Sequence, residues 1–315
     1  MNKFTTFLLT MSFLCSSTTQ VLSQWIQTNG PYDGPVQALA VSGCNLFVGT
    51  DRAGVYLSTN NGVSWKAVNN GLRRDVEFQN VHALEFLGSY LFAGTNGGIF
   101  LSTNNGASWS SVNSGIHNAS VNRLTTMGSN LFAATDRGVF LSVNSGKNWI
   151  CVGFQDTCVT ALTVSDSSLY AGTGTIPPGS GSVAGGVFLT TNDGTTWRKL
   201  TSGTSVEAMV ALSSDLFVSI YAAGVFLTKD SGTTWIRVNE GLFHRYGNPA
   251  AKAFAISGPY LFIGTDRGVY RSDDKRTTWT EINDGLLNAT IVHALAANSS
   301  SLFAGTSRGL WRLLF

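Results

Sequence analysis

Three features of this 315-residue sequence predict an all-β chain folded as a seven-bladed β-propeller, with the last blade completed by the N-terminal strand. First, an eight-residue box, Ser/Thr-x-Asn/Asp-x-Gly-x-x-Trp, ends at Trp65, Trp109, Trp149, Trp197 and Trp235. A sixth copy ending at Trp279 carries Arg276 where the glycine is expected. Second, successive tryptophans lie 44, 40, 48, 38 and 44 residues apart, the recurrence expected of a repeat architecture. Third, the count of strands balances only when the two ends of the chain are joined.

Residues 1–23 are expected to be an export signal. Lys3 precedes an apolar run from Phe4 to Leu14, and Val21-Leu22-Ser23 offers a cleavage site before Gln24. The run is short for a membrane span, and no later stretch reaches the roughly 20 apolar residues that a span needs. Residues 24–315 are then one propeller domain.

Each repeat carries four short segments, A to D. In the second they run Val81 to Phe86, Leu91 to Thr95, Gly98 to Ser102 and Trp109 to Val112. They are rich in Val, Leu, Phe and Thr and separated by Gly, Asn or Ser, the pattern of strands joined by tight turns. Seven B strands align, from Leu46-Phe47-Val48-Gly49-Thr50 to Leu302-Phe303-Ala304-Gly305-Thr306, and a C strand follows each. Only six D strands follow a box, because the chain ends at Phe315 just after the seventh C strand. The missing one is available at Trp25-Ile26-Gln27-Thr28, since Trp25 lies 40 residues before Trp65 and so in register with the repeat. Closing the ring in this way removes an exposed sheet edge.

Composition narrows the partners. Only 12% of residues are charged and the net charge is +2, which gives no strong basic field for nucleic acid. The hydrophobic share of 43% argues for a packed core rather than disorder. After removal of the signal three cysteines remain. Cys151 and Cys158 bracket one loop and could pair in an oxidising compartment, leaving Cys44 as a small buried residue.

The box resembles the Asp-box, or BNR, repeat of the sialidase-like propeller superfamily. Thr190-Thr191-Asn192-Asp193-Gly194-Thr195-Thr196-Trp197 and Thr228-Lys229-Asp230-Ser231-Gly232-Thr233-Thr234-Trp235 match best, although Asn replaces Asp in four of the six boxes. The Val-Asn-x-Gly-Leu segments, Val68 to Leu72 and Val238 to Leu242, are similar to those of photosystem II assembly-factor-like and sortilin-type members. In such a ring the box is the C–D turn. Asn or Asp bonds its own backbone there, glycine allows positive φ and tryptophan enters the blade core.

The opposite face, carrying the B–C turns and the D–A links, is where the resemblance implies binding. The B–C turns place Arg52, Arg137, Arg267 and Arg308 on one rim, either to hold an anionic group by bidentate bonds, or to pair with the preceding Asp where there is one or pack on a neighbouring aromatic ring. The second residue of each A strand forms another ring: Gln37, His82, Asn122, Thr160, Glu207, Lys252 and His293. This ring would either contact a ligand or line a water-filled channel. The D–A links contribute Arg73, Arg74, Glu77, His244, Arg245 and Tyr246, and blade 4 carries an insertion from Gly174 to Gly185.

No nucleophile or paired-carboxylate constellation of a sialidase or xyloglucanase is legible, and the Phe/Tyr-Arg-Ile-Pro segment of sialidases is replaced by Trp25-Ile26-Gln27-Thr28. The sequence therefore predicts an exported, monomeric, non-catalytic propeller that binds a protein or glycan and needs no cofactor or metal. A glycoside hydrolase or lectin of the same superfamily is the alternative.

Overall fold

The computed structural model describes residues 24–31, 34–72, 80–116, 119–174, 185–242, 251–272, 277–286 and 290–315. Within them the chain forms seven four-stranded antiparallel sheets and no helix. Six sheets follow chain order, as Val36–Ser42, Asn45–Thr50, Gly54–Ser58 and Lys66–Ala67 do in blade 1. The seventh joins Val292–Ala297, Ser301–Thr306 and Gly309–Leu314 to Ile26–Gln27, with Ile26 opposite Arg312 and Gln27 opposite Trp311. Each innermost strand packs on those of its two neighbours. Val36–Ser42 touches both Val81–Leu87 and Val292–Ala297, so the sheets close into a ring. The seven-bladed propeller is thus the fold.

The B strands read as continuous apolar runs because a blade lies against each of their faces. Their second residues, Phe47, Phe92, Phe132, Tyr170, Phe217, Phe262 and Phe303, are all buried. The core sits between blades rather than within them: Phe47, Val55 and Val68 of blade 1 cluster with Leu84, Leu91, Phe100 and Trp109 of blade 2. Close approach is permitted by small residues at the fourth B position. A Cβ on Gly305 would lie 2.5 Å from the Val36 side chain, and the same contact recurs between Gly49 and Val81 and between Gly94 and Val121.

The box behaves as the turn its residues imply. The Ser102 hydroxyl donates to Asn104 Oδ1 at 3.0 Å and accepts from the Gly106 amide at 2.8 Å. Asn104 Oδ1 also accepts from the Ser108 amide at 2.9 Å. Asn105 and Gly106 take φ of 54° and 80°, the left-handed region that Asn and Gly enter most readily. Residues 273–276 of the sixth copy lie outside the described residues.

Five of the seven tryptophans at this position, Trp25, Trp109, Trp149, Trp197 and Trp279, reach back to the previous blade, whereas the indole nitrogens of Trp65 and Trp235 are buried without a partner among the described residues. Trp109 Nε1 donates to Val68 O at 2.7 Å, Trp149 to Val112 O at 2.8 Å and Trp279 to Val238 O at 2.8 Å. Trp25 does the same with Ile282 O at 2.6 Å. The Trp109 backbone amide is also taken by the previous blade, at Asn70 O. This explains why the outer strand of blade 2 is Ser110–Ser111, shorter than the expected stretch from Trp109 to Val112.

Trp25 is 3% exposed and completes blade 7. Trp25→Ala is expected to destabilise the protein by about 3–5 kcal/mol, whereas Ile26→Thr on the exposed side should change little. Urea unfolding followed by circular dichroism checks this, and equal midpoints for Trp25→Ala and the parent would contradict the closure.

Candidate functional site

The inner strand of every blade carries the same irregularity. Its ladder skips one residue between its first and third positions, from Val36/Ala38 in blade 1 to Val292/Ala294 in blade 7. The skipped residues are Gln37, His82, Asn122, Thr160, Glu207, Lys252 and His293. The seven ring positions are therefore β-bulges, which turn a side chain out of the regular alternation. All seven line one cavity of about 390 Å³ at the channel mouth, together with Asn96, Ser120, Arg123 and Val206. A volume of this order is typical of small-ligand sites. Below it the channel narrows to a space of about 210 Å³ whose wall mixes Gln37, His82, Arg123, Lys252 and His293 with alanines and with Leu39, Leu84, Leu124, Leu162, Met209, Phe254 and Leu295.

The ring is chemically uneven. His82 Nε2 donates to Asn96 Oδ1 at 2.6 Å, and Ser120 Oγ donates to the same oxygen at 3.0 Å. Burial lowers the proton affinity of His82 against the supporting bond from Asn96. Burial likewise pulls His293 down to about 4, helped by the nearby Lys252 cation and opposed by Asp51. Asn122 Nδ2 donates to Val159 O at 2.9 Å, and Thr160 Oγ1 donates to Val206 O at 2.6 Å. These two polar groups tie neighbouring blades together.

Glu207 and Lys252 form an ion pair with Nζ 3.9 Å from Oε2, their side chains 4% and 34% exposed. Glu207 Oε2 has no hydrogen bond. Burial raises the Glu207 proton affinity, Lys252 opposes this, and Asp266 adds to it. Asp266 Oδ1 is itself buried without a hydrogen bond.

Arg52, Arg137, Arg267 and Arg308 lie on the same face, since each B–C turn sits beside the start of an inner strand, as Val36 opposite Thr50 shows. All four are exposed, and none lines the cavity. Neither Arg52 nor Arg137 forms an ion pair with the Asp before it. The structure therefore separates the two sets into an inner polar cup and an outer basic rim. Arg73, Arg74, Glu77, His244, Arg245, Tyr246 and the insert from 175 to 184 lie outside the described residues. Cys151 and Cys158 are not bonded to each other. Cys151 is exposed on an outer strand, with its thiol directed to Gly153 O, while Cys158 lies beside Asn122 toward the mouth. Cys44 is an exposed thiol, not a buried one. Among the described residues no cluster of three metal-ligating side chains occurs, and no helix is long and apolar enough to cross a membrane.

Reading the ring residues alone misses Arg123. The third position of the inner strand is Ala38, Ala83, Ala161, Ala208, Ala253 and Ala294 in six blades and Arg123 in blade 3. Alignment of the repeats column by column exposes this exception; a search for polar second positions does not.

No family model matches the chain, and no curated protein matches it. Solved structures do. YCF48 bound to D1 peptide aligns at 14% identity and TM-score 0.71, over 93% of this chain and 96% of that one. A GH74 xyloglucanase from Xanthomonas campestris aligns at 16% identity and TM-score 0.70, over 92% of this chain and 53% of that one. The WD40 propeller domain of Doa1 aligns at 13% identity and TM-score 0.70, over 93% and 96%. At these identities the likeness is one of fold.

The depressed proton affinity of His293 has a stability consequence. The folded state resists protonation that the unfolded chain accepts near pH 6.5, so this contribution is complete above that pH and is lost as pH falls toward about 4. His293→Gln should flatten the acid limb of a stability–pH profile between these limits, and NMR titration of the His293 ring should give a midpoint near 4. A midpoint near 6.5 would contradict the burial.

Proposed function

We propose that this chain is an exported, non-catalytic Asp-box propeller of the sialidase-like superfamily that binds a protein or glycan partner through the face holding the cup and the arginine rim. The observation that carries the reading is the division of polarity between the two faces. The boxes of one face satisfy their polar groups internally. Seven bulges bring polar side chains together on the other face, among exposed arginines. The matching fold of YCF48 bound to D1 peptide supports a peptide-bearing partner. Rim arginines suit such a role because a guanidinium presents a planar fork to carboxylates while staying hydrated when free.

The rival reading is glycan hydrolysis, which needs a raised carboxylic acid near a second carboxylate. Glu207, with its raised proton affinity and the nearby Asp266, is the specific observation in its favour.

Replacing Arg52, Arg137, Arg267 and Arg308 together by alanine should weaken partner capture from a native extract at least about tenfold, equivalent to 1.4 kcal/mol, with the melting temperature nearly unchanged. Undiminished capture would remove the rim from the interface. A panel of fluorogenic glycosides should give no turnover; turnover lost in Glu207→Gln would favour the hydrolase reading.

A further inference from the structure

We propose that the cup is a binding site for a small monocarboxylate, with Arg123 as its counter-ion, distinct from the partner-binding rim. Arg123 lines both the cup and the narrow channel beneath it, as do Gln37, His82, Lys252 and His293, so its guanidinium stands where the two spaces meet. Its one hydrogen bond to the described residues runs from Nη1 to the carbonyl of its own neighbour, Asn122, at 2.7 Å. That bond holds the fork in place and leaves its other N–H donors for a ligand. Among the described residues no acidic side chain forms an ion pair with it.

The repeat provides an internal control on whether the fold needs this side chain. Six blades build the same inner strand with alanine at this position, so an arginine there is not demanded by the blade. A half-buried guanidinium without a carboxylate has no ion pair to offset its partial desolvation. A charged residue that the scaffold does not require, and that no carboxylate partners, is accounted for by what it binds.

The charges select the ligand. Lys252 balances Glu207 across 3.9 Å, leaving Arg123 as the one uncompensated charge among the lining residues. A single positive charge matches a monoanion, and the Glu207 carboxylate disfavours dianions such as sulfate. A carboxylate also fits the guanidinium fork with two parallel hydrogen bonds. The remaining donors at the mouth, Gln37 and Asn122 among them, are neutral. Beneath Arg123 the leucines of five blades offer apolar contact to a short hydrocarbon chain.

The test is isothermal titration calorimetry of the full mature chain with sodium hexanoate, alongside hexanamide and sodium sulfate at equal ionic strength. The parent should bind one hexanoate and neither control. Arg123→Ala, which restores the residue of the other six blades, should lose at least about tenfold in affinity while its melting temperature holds or rises. Arg123→Lys should keep a weaker site, because it retains the charge without the fork. The proposal is overturned if the parent does not bind hexanoate, if Arg123→Ala binds it equally, or if sulfate binds as tightly. An Arg123→Ala protein that fails to fold would also overturn it, since the arginine would then be structural. None of these results depends on the rim arginines, so they separate this site from the partner-binding reading.

Discussion

The structure depends on how closely one blade can lie against the next. The B strands have no solvent face, so a row of bare backbone or small side chains is needed where the next inner strand crosses. Gly49 against Val81 and Gly305 against Val36 are two instances of one contact, and the second is the one that closes the ring. A Cβ at either would fall inside the valine, and the blades would have to part. The tryptophans lock the same joint from the outer side. Five of them donate the indole N–H to a carbonyl of the blade before, as Trp109 does to Val68 and Trp25 does to Ile282, and Trp109 packs its ring in the core shared by blades 1 and 2.

This joint explains which parts of the fold were legible in the sequence. The box, the Leu-Phe B strands and the Gly-Thr turns repeat because every blade faces the same neighbour, so phase and strand number could be counted directly. The N-terminal strand could be placed because Trp25 keeps the register of the repeat. The lengths of the outer strands could not, because the Trp109 amide bonds across to the previous blade instead of along its own sheet, and no local pattern signals that choice. The relation of Cys151 to Cys158 was equally invisible. Proximity in sequence does not reveal that one lies on an outer strand and the other beside the channel.

The candidate site was half legible. Polar second positions in the inner strands stand out in the sequence, and the structure gives them a common cause in the seven bulges that direct them into one cup. The arginines of the B–C turns belong to the same face but to a separate, exposed ring, because those turns lie one strand further from the axis than the bulges. Arg123 was hidden by the same periodicity that revealed its neighbours, since it breaks a column of alanines rather than joining a column of polar residues. Repetition shows what the scaffold needs, and departures from it are where function can be added at little structural cost.

The central claim is that the N-terminal strand is an integral part of blade 7 rather than a loose arm. Native-state hydrogen exchange of the Trp25 and Thr28 amides, which bond to Asp284 and Leu310 across more than 250 residues of chain, tests it most directly. The account predicts that these amides exchange as slowly as those of Trp109 and Trp149, through the same global opening. Exchange at the rate of an unstructured peptide, with the other blades still protected, would show that the ring is held shut without this strand.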